Sequence, residues 1–282
     1  MTNRTVLITG ASSGFGLLTS VTLARRGWHV LASMRDLARR ERLEAAARAA
    51  GVLERIEFLQ LDVTRQEEIE ALSAEVSKRK LPLDAIVNNA GFALAGFVDD
   101  VSDAELRHQF DTNFFAATAV TRTFLPQLRR QGFGHIVMVS SVSGRCGFPG
   151  ISSYAASKYA LEGWTESLRF EVASLGIQVA LVEPGSFETD IWSRNAVVAE
   201  QSLDAHSPNA ARLAAWKQRL LTAKKRPDPQ QVADGIARIL EAKRPPLRTV
   251  FGADAKLALV LRALLPGRVY EWLIRKASGM ER

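Results

Sequence analysis

Seven short apolar, β-branched runs, separated by longer stretches of helical pattern, constrain what this chain can fold into more than any other feature. The runs are Thr5–Thr9, His29–Ser33, Arg55–Leu61, Ala85–Asn89, His135–Ser140, Gln178–Val182 and Arg248–Phe251. They read as continuous apolar segments and not as alternating ones, the pattern of strands buried on both faces. Between them the spacing predicts helices near Phe15–Arg26, Leu37–Ala50, Gln66–Lys78, Asp103–Arg130, Ser153–Leu175 and Gln230–Ala242. Such alternation builds a parallel sheet covered by helices. Parallel neighbours need right-handed crossovers, so the expected fold is α/β: a Rossmann-type doubly wound sheet of about seven strands, with helices on both faces. With 47% hydrophobic residues in 282, one large domain can fill its core.

Two stretches depart from the alternation. Residues 186–228 are polar, are punctuated by Pro208 and Pro227, and follow the sixth strand. Ligands of open α/β sheets bind beyond the carboxyl ends of the strands, so this insertion is placed to form a substrate lid. Residues 254–282 form a C-terminal extension, expected as two short helices broken at Pro266-Gly267. The net charge of +7 concentrates in this part of the chain. From Glu200 onward there are 16 Lys and Arg against 8 Asp and Glu, with 21 against 22 in the remainder. A basic third suits a membrane surface, an anionic ligand or simply solvated helix faces. No nucleic-acid-binding motif accompanies it, so a nucleic-acid partner is not expected. The lone cysteine, Cys146, rules out an intrachain disulfide, and no metal site is expected. The start of the chain runs directly into a strand-like stretch with no apolar leader, and the expectation is a cytoplasmic protein.

The first strand leads into Gly10-Ala11-Ser12-Ser13-Gly14-Phe15-Gly16 and then a helix. Glycines there allow a tight turn and close approach of backbone to a pyrophosphate seated on the positive end of the helix. After the second strand stands Met34-Arg35-Asp36. An acidic residue at the position of Met34 would bind ribose hydroxyls, whereas Arg35 can grip a 2′-phosphate by a bidentate charged pair, with Ser12 as a second donor. Asp36 reads as the N-cap of the next helix. These residues point to NADP(H). Asp62-Val63 and Asn89-Ala90-Gly91 add to the same rim. Asp62 is placed to accept a hydrogen bond from adenine, and Asn88 and Asn89 to tie neighbouring strands.

Tyr154-Ala155-Ala156-Ser157-Lys158 opens the helix after the fifth strand, and residues four apart share a helix face. A nearby ammonium group favours a phenolate, so the pair can exchange protons more readily than a free tyrosine. Ser141, at the end of the strand, is placed to face Tyr154 across the loop.

Together these motifs resemble the short-chain dehydrogenase/reductase family, over about residues 4–190: Thr9-Gly10, Gly14, Gly16, Asp62, Asn88 to Gly91, Asn113, Ser140-Ser141, Tyr154, Lys158, Pro184-Gly185 and Thr189. The resemblance implies that Tyr154 is the acid/base and that Ser141 steadies the substrate oxygen. It implies that Lys158 holds the nicotinamide ribose and tunes Tyr154, and that Asn113 supports a proton-relay water. Pro184, Gly185 and Thr189 would hold the carboxamide end. Ala116 departs from the glycine often found near the helix asparagine, and slightly wider helix spacing is expected there. In motif detail the chain looks most like the 17β-hydroxysteroid and retinol dehydrogenase branch.

The residues expected around the substrate, Phe92, Leu94, Phe148, Phe187 and Trp192 beside Ser141, are apolar or aromatic, which suits a hydrophobic ketone, aldehyde or alcohol. An epimerase or dehydratase on the same fold would call for retained NAD and a polar pocket. A non-enzymatic NADP-binding regulator would not need the complete set Asn113, Ser141, Tyr154 and Lys158. Apolar stripes on the two longest helices predict a homodimer or homotetramer. The basic amphipathic C-terminal segment predicts weak contact with a membrane surface.

Overall fold

The computed structural model describes residues 4–189, 191, 196–204, 206–222 and 226–280. Its centre is a seven-stranded, all-parallel sheet. The strands are β1 (Thr5–Ile8), β2 (His29–Met34), β3 (Ile56–Gln60), β4 (Ala85–Asn88), β6 (Gly134–Val139), β7 (Ile177–Pro184) and β9 (Arg248–Phe251), in spatial order β3-β2-β1-β4-β6-β7-β9. Each expected strand is present, shifted by a residue or two at most ends. The order reverses between β1 and β4, which opens a crevice at their carboxyl ends.

Successive side chains of a strand point to opposite faces, so both faces of this sheet carry core. Val6 and Ile8 enter one core with α1 (Gly14–Arg25), α2 (Glu41–Ala49) and α8 (Gln230–Glu241). Leu7 enters the other with α3 (Gln66–Lys78), α5 (Ala116–Gln131) and α6 (Ser152–Val172). α8 shows the sorting most clearly: Val232, Ala233, Ile236, Ala237 and Leu240 are buried at helical spacing, on the side that meets the sheet.

The helix expected over Asp103–Arg130 is interrupted. α4 (Asp103–Phe110) starts on a capping box, Ser102 with Glu105, and passes through a π turn at Asp111–Phe115 into α5. A π turn inserts a residue and commonly marks a functional site. Here it turns Asn113 inward. The stretch Leu37–Ala50 likewise divides, into a short 3₁₀ turn (Leu37–Arg40) and α2.

The described residues within 186–228 hold more order than their polarity suggests. β8 (Ala196–Val198) pairs in parallel with a three-residue strand, β5 (Ala93–Ala95), and α7 (Ala210–Thr222) follows. After β9 come α9 (Ala253–Leu264) and α10 (Gly267–Ser278), divided at Pro266 as expected. No helix among the described residues is long and apolar enough to cross a membrane.

Candidate active site

The carboxyl ends of the strands open on a cleft of about 530 Å³. Its floor is made by the turn after β1. Gly10 has φ +68°, and a Cβ there would lie 2.8 Å from Ala90 Cα. A Cβ on Gly16 would lie 2.4 Å from Gly10 O and 2.5 Å from Asn89 Nδ2. Asn89 Nδ2 donates to Thr9 O (2.9 Å) and Gly10 O (3.0 Å), while Thr9 Oγ1 accepts from the amides of Asn89 and Ala90. The glycine turn is thus clamped to the end of β4, and Asn89 ties neighbouring strands as expected. Asn88 instead reaches α5, where its Nδ2 donates to Thr121 Oγ1 at 2.9 Å.

Ser12, Ser13, Gly14 and Phe15 face the cleft at the N-terminus of α1, where the helix dipole favours anions. Gly16 lies beneath, as the spacer that lets the turn close. This cradle of glycine and serine backbone, backed by a helix N-terminus, fits a dinucleotide pyrophosphate. At one end stand Arg35, Asp62, Val63 and a residue not anticipated, Arg39. The available signal was a second arginine four places after the first. Asp36 accepts from Ala38 N at 2.9 Å and caps the 3₁₀ turn, so its carboxylate is spent on the backbone. Burial works against the Asp62 charge. Hydrogen bonds from Thr64, with Arg35 and Arg65 nearby, nevertheless hold its carboxyl below the ordinary range.

At the other end the cleft wall contains Ser141, Tyr154, Lys158, Pro184, Gly185 and Thr189, with Asn89, Ala90, Gly91 and Phe92 between the two ends. Tyr154 stands in the first turn of α6, and its hydroxyl hydrogen-bonds the Ser141 side chain. Burial pushes the phenol up to about 12, against the pull of that hydrogen bond. Lys158, one turn on, donates from Nζ to Val139 O at 2.8 Å. Burial pulls its ammonium group down to about 8, against the attraction of Glu162. Its Nζ lies 5.8 Å from the centre of the Tyr154 ring. Ser141 is fixed in turn: its Oγ accepts from Ser143 N (3.1 Å) and lies 3.5 Å from Pro184 O.

Asn113 sits behind the wall and not in it. Its Oδ1 accepts from Phe92 N, and its Nδ2 donates to Phe92 O and to Ser157 Oγ, at 3.0, 3.0 and 3.2 Å. Ser157 in turn donates to Tyr154 O at 2.7 Å. The π turn therefore links the β4–β5 loop to the helix that carries Tyr154. Ala116, the first residue after the π turn, is buried.

The expected substrate residues divide. Phe92 lines the cleft, its ring 5.1 Å from that of His108. Phe187 also lines it but packs edge-on against Phe15 at 5.8 Å, on the glycine turn rather than beside Tyr154. Leu94 and Phe148 are outside the wall. Leu94 is buried on β5, and Phe148 packs in a small cluster with Ala93, Ile151 and Tyr154. Trp192 lies outside the described residues. His108, Thr112, Ile191, Ala196 and Val197 complete the mouth, so the π turn and the 186–228 segment both contribute. That segment is held from below by carboxylates of the loop after β5 and of the first turn of α4. Asp100, 2% exposed, accepts from Ser202 Oγ (2.7 Å) and Ser207 Oγ (2.8 Å). Asp99 accepts from Asn209, and Glu105 from the amide of Glu200.

Residues 4–197 match the family described as short chain dehydrogenase. An uncharacterized oxidoreductase of Bacillus subtilis, YusZ, is 40% identical over 282 residues, covering 98% of this chain and 99% of its own. Human retinol dehydrogenase 8 is 37% identical over 87% of this chain and 80% of its own. The crystal structure of a short-chain dehydrogenase from Streptomyces avermitilis superposes with a TM-score of 0.81 at 33% identity, over all of both chains. Among other structures of similar fold, several hold NADP and another NAD, in keeping with a nicotinamide cofactor in this cleft. Fold, motif order and overall likeness agree: this chain belongs to the short-chain dehydrogenase family and is an oxidoreductase of CH–OH and C=O groups.

Proposed function

We propose that the chain is an NADP(H)-dependent oxidoreductase of hydrophobic ketones, aldehydes or secondary alcohols of steroid-, retinoid- or lipid-like type. The observation that carries this reading is the convergence of Ser141, Tyr154 and Lys158 on one end of the cleft that holds Arg35 and Arg39 at the other. A nicotinamide, when bound, supplies or accepts the hydride. Ser141 Oγ and the Tyr154 hydroxyl converge on the position of a substrate oxygen, and both stabilise negative charge as it develops there. Tyr154 keeps its proton at neutral pH, so it is set to donate that proton to the oxygen in reduction. Lys158, cationic below about 8, offsets the charge left on Tyr154.

Two arginines at the adenosine end favour a 2′-phosphate by charge-assisted hydrogen bonds. The mouth, lined by Phe92, Ile191, Ala196 and Val197, favours an apolar substrate, and the 186–228 segment acts as its lid. The human retinol dehydrogenase relative supports a retinoid-like size and shape. Following NADPH oxidation over a panel of steroid, retinoid and aliphatic ketones and aldehydes tests the reading. Turnover is expected with apolar substrates and lost in Tyr154→Phe, with NADPH binding retained. Near wild-type turnover by Tyr154→Phe, or a preference for NADH, refutes it.

The exposed Phe115 and Phe170, on the π turn and α6, support a homodimer or homotetramer, readable by light scattering. α9 and α10 expose Leu257, Val260, Leu264 and Trp272 beside Arg262, Arg268, Arg275 and Lys276, which supports weak contact with anionic membranes. Failure to co-sediment with anionic vesicles at low salt removes that contact.

A further inference from the structure

Behind the reacting end, on the side away from the cleft, lies a buried charge cluster that the reaction described above does not use. Glu162 stands one turn after Lys158 on α6 and is 4% exposed; Glu183, next to Pro184 on β7, is fully buried. Arg248 of β9 lies between them. Its Nε is 3.0 Å from Glu162 Oε2 and 3.3 Å from Glu183 Oε1, and its Nη2 is 2.9 Å from Glu166. Arg145, from the turn after β6, reaches Glu183 Oε2 at 3.2 Å. The second Glu162 oxygen and the hydroxyl of Ser140, the neighbour of Ser141, are both buried without a hydrogen-bond partner, and Ser140 favours the charged form of Glu162. Gly144 fits over this point: a Cβ there would lie 2.8 Å from Ser140 Oγ, 2.9 Å from Glu162 Cγ and 3.1 Å from Lys158 O. Three of these residues flank the reacting end: Ser140 beside Ser141, Glu162 one turn from Lys158, and Glu183 beside Pro184, whose carbonyl lies 3.5 Å from Ser141 Oγ.

A buried ammonium group is costly unless a counter-charge compensates it. The cluster carries three carboxylates, Glu162, Glu166 and Glu183, against two arginines. Lys158 stands one helical turn before Glu162, with its ammonium group donating to Val139 O and Glu162 acting on it through space. Glu162 is the carboxylate that acts on Lys158; burial lifts its own carboxyl above the ordinary range, and Arg248 and Arg145 pull it back toward the ionised form. Around this pair, α9 turns Asp254 to the amide of Ser186, Arg262 acts on Tyr159 and Tyr270, and the π turn meets α6 through Asn113 and Ser157.

We propose that Glu162 is a positioning residue: fixed by Arg248 against Glu183, it holds Lys158 as a buried cation beneath Tyr154 and so sets the alkaline limit of the reaction. The proposal rests on the roles given above to Tyr154 and Lys158, and its test is built so that the two ideas fail separately. Unfolding free energy is measured against pH for four chains: wild type, Glu162→Gln, Lys158→Met and the double variant. The difference between a chain with Lys158 and its Lys158→Met counterpart reports the titration of Lys158 without any substrate. The break in that difference is expected to move down by about one pH unit in the Glu162→Gln background, the effect of removing an opposite charge at this range. The alkaline limb of kcat/KM for carbonyl reduction is expected to move with it, by the same amount. Glu162→Asp, which keeps the charge, returns both toward wild type. Glu166→Gln, at a half-exposed site, leaves both in place.

If Glu162→Gln does not fold, the double variant is expected to fold, because both charges leave together. An unfolded double variant, or an unmoved break, overturns the proposal and leaves Glu162 as packing alone. A break that moves while the kcat/KM limb stays fixed supports the proposal about Glu162 and instead refutes the catalytic part given to Lys158.

Discussion

Lys158→Met should make this protein inactive and, at neutral pH, more stable. The ammonium group is almost wholly buried and titrates at about 8 in place of 10.5. At about 1.4 kcal/mol per pH decade, keeping its charge costs the folded state about 3 kcal/mol. An unfolded lysine holds its proton to about 10.4, whereas the folded one releases it near 8. The cost is therefore complete below pH 8, shrinks as pH rises, and is gone above about 10.5. Methionine removes that cost but leaves Val139 O, the acceptor of Lys158 Nζ at 2.8 Å, without its donor. A buried acceptor left without its donor costs about 1–2 kcal/mol. The net expectation is a gain of about 1–2 kcal/mol at pH 7, or about 2–4 °C in Tm for a chain of this size. Near pH 10.5 the same variant should be less stable than wild type by about 1–2 kcal/mol. Urea unfolding of both proteins at several pH values, with matched m-values, measures the crossing. A variant less stable than wild type at pH 7, or a difference that does not change with pH, would refute the argument from burial.

Other outcomes follow from geometry. Gly16→Ala places a methyl group 2.4 Å from Gly10 O and 2.5 Å from Asn89 Nδ2, so the pyrophosphate turn must open; NADPH affinity by fluorescence titration should fall at least about tenfold, because a close contact of backbone to phosphate is lost. Arg35→Gln should raise KM for NADPH about 10- to 100-fold, the worth of a charge-assisted pair, and change KM for NADH little. Asn113→Ala deletes the three hydrogen bonds that join Phe92 to α6 and is expected to lower kcat more than KM. For wild type, carbonyl reduction should decline as pH rises through about 8, where Lys158 loses its proton; a rate that climbs through that range would contradict the charge assigned to it.

The seven-stranded sheet was legible because its signal is local. Strands buried on both faces must be apolar throughout, as Val6 to Ile8 and Ile136 to Val139 are, and the turns that carry glycines and polar residues follow them directly. The pair Tyr154 and Lys158 was legible for the same reason, since helical spacing alone puts them on one side of α6. What stayed hidden depends on distant partners. The π turn at Asp111–Phe115 is drawn out by hydrogen bonds from Asn113 to Phe92, 21 residues away, and nothing in its own sequence departs from a helical pattern. β5 and β8 are three residues each and exist only by pairing with one another across about a hundred positions. Leu94 and Phe148 had the right chemistry for a substrate wall, but β5 buries Leu94, and Phe148 packs half-buried against Ala93, Ile151 and Tyr154. Arg39 escaped notice because arginines in a solvated helix are common, and only the fold places this one on the cleft.

The attachment of the 186–228 segment and its share of the cleft wall fall on different residues. Asp99, Asp100 and Glu105 grip Asn209, Ser202, Ser207 and the Glu200 backbone, whereas Ile191, Ala196 and Val197 face the cleft. A scaffold built this way can exchange what it recognises without renegotiating how it folds. Mutations at the three mouth positions are free to retune selectivity while the carboxylate anchors keep the segment seated. Segments from relatives that preserve serines and an asparagine at the anchoring positions should be transplantable as units. For an enzyme engineer, that separation makes the mouth the place to diversify first and the anchors the place to leave alone.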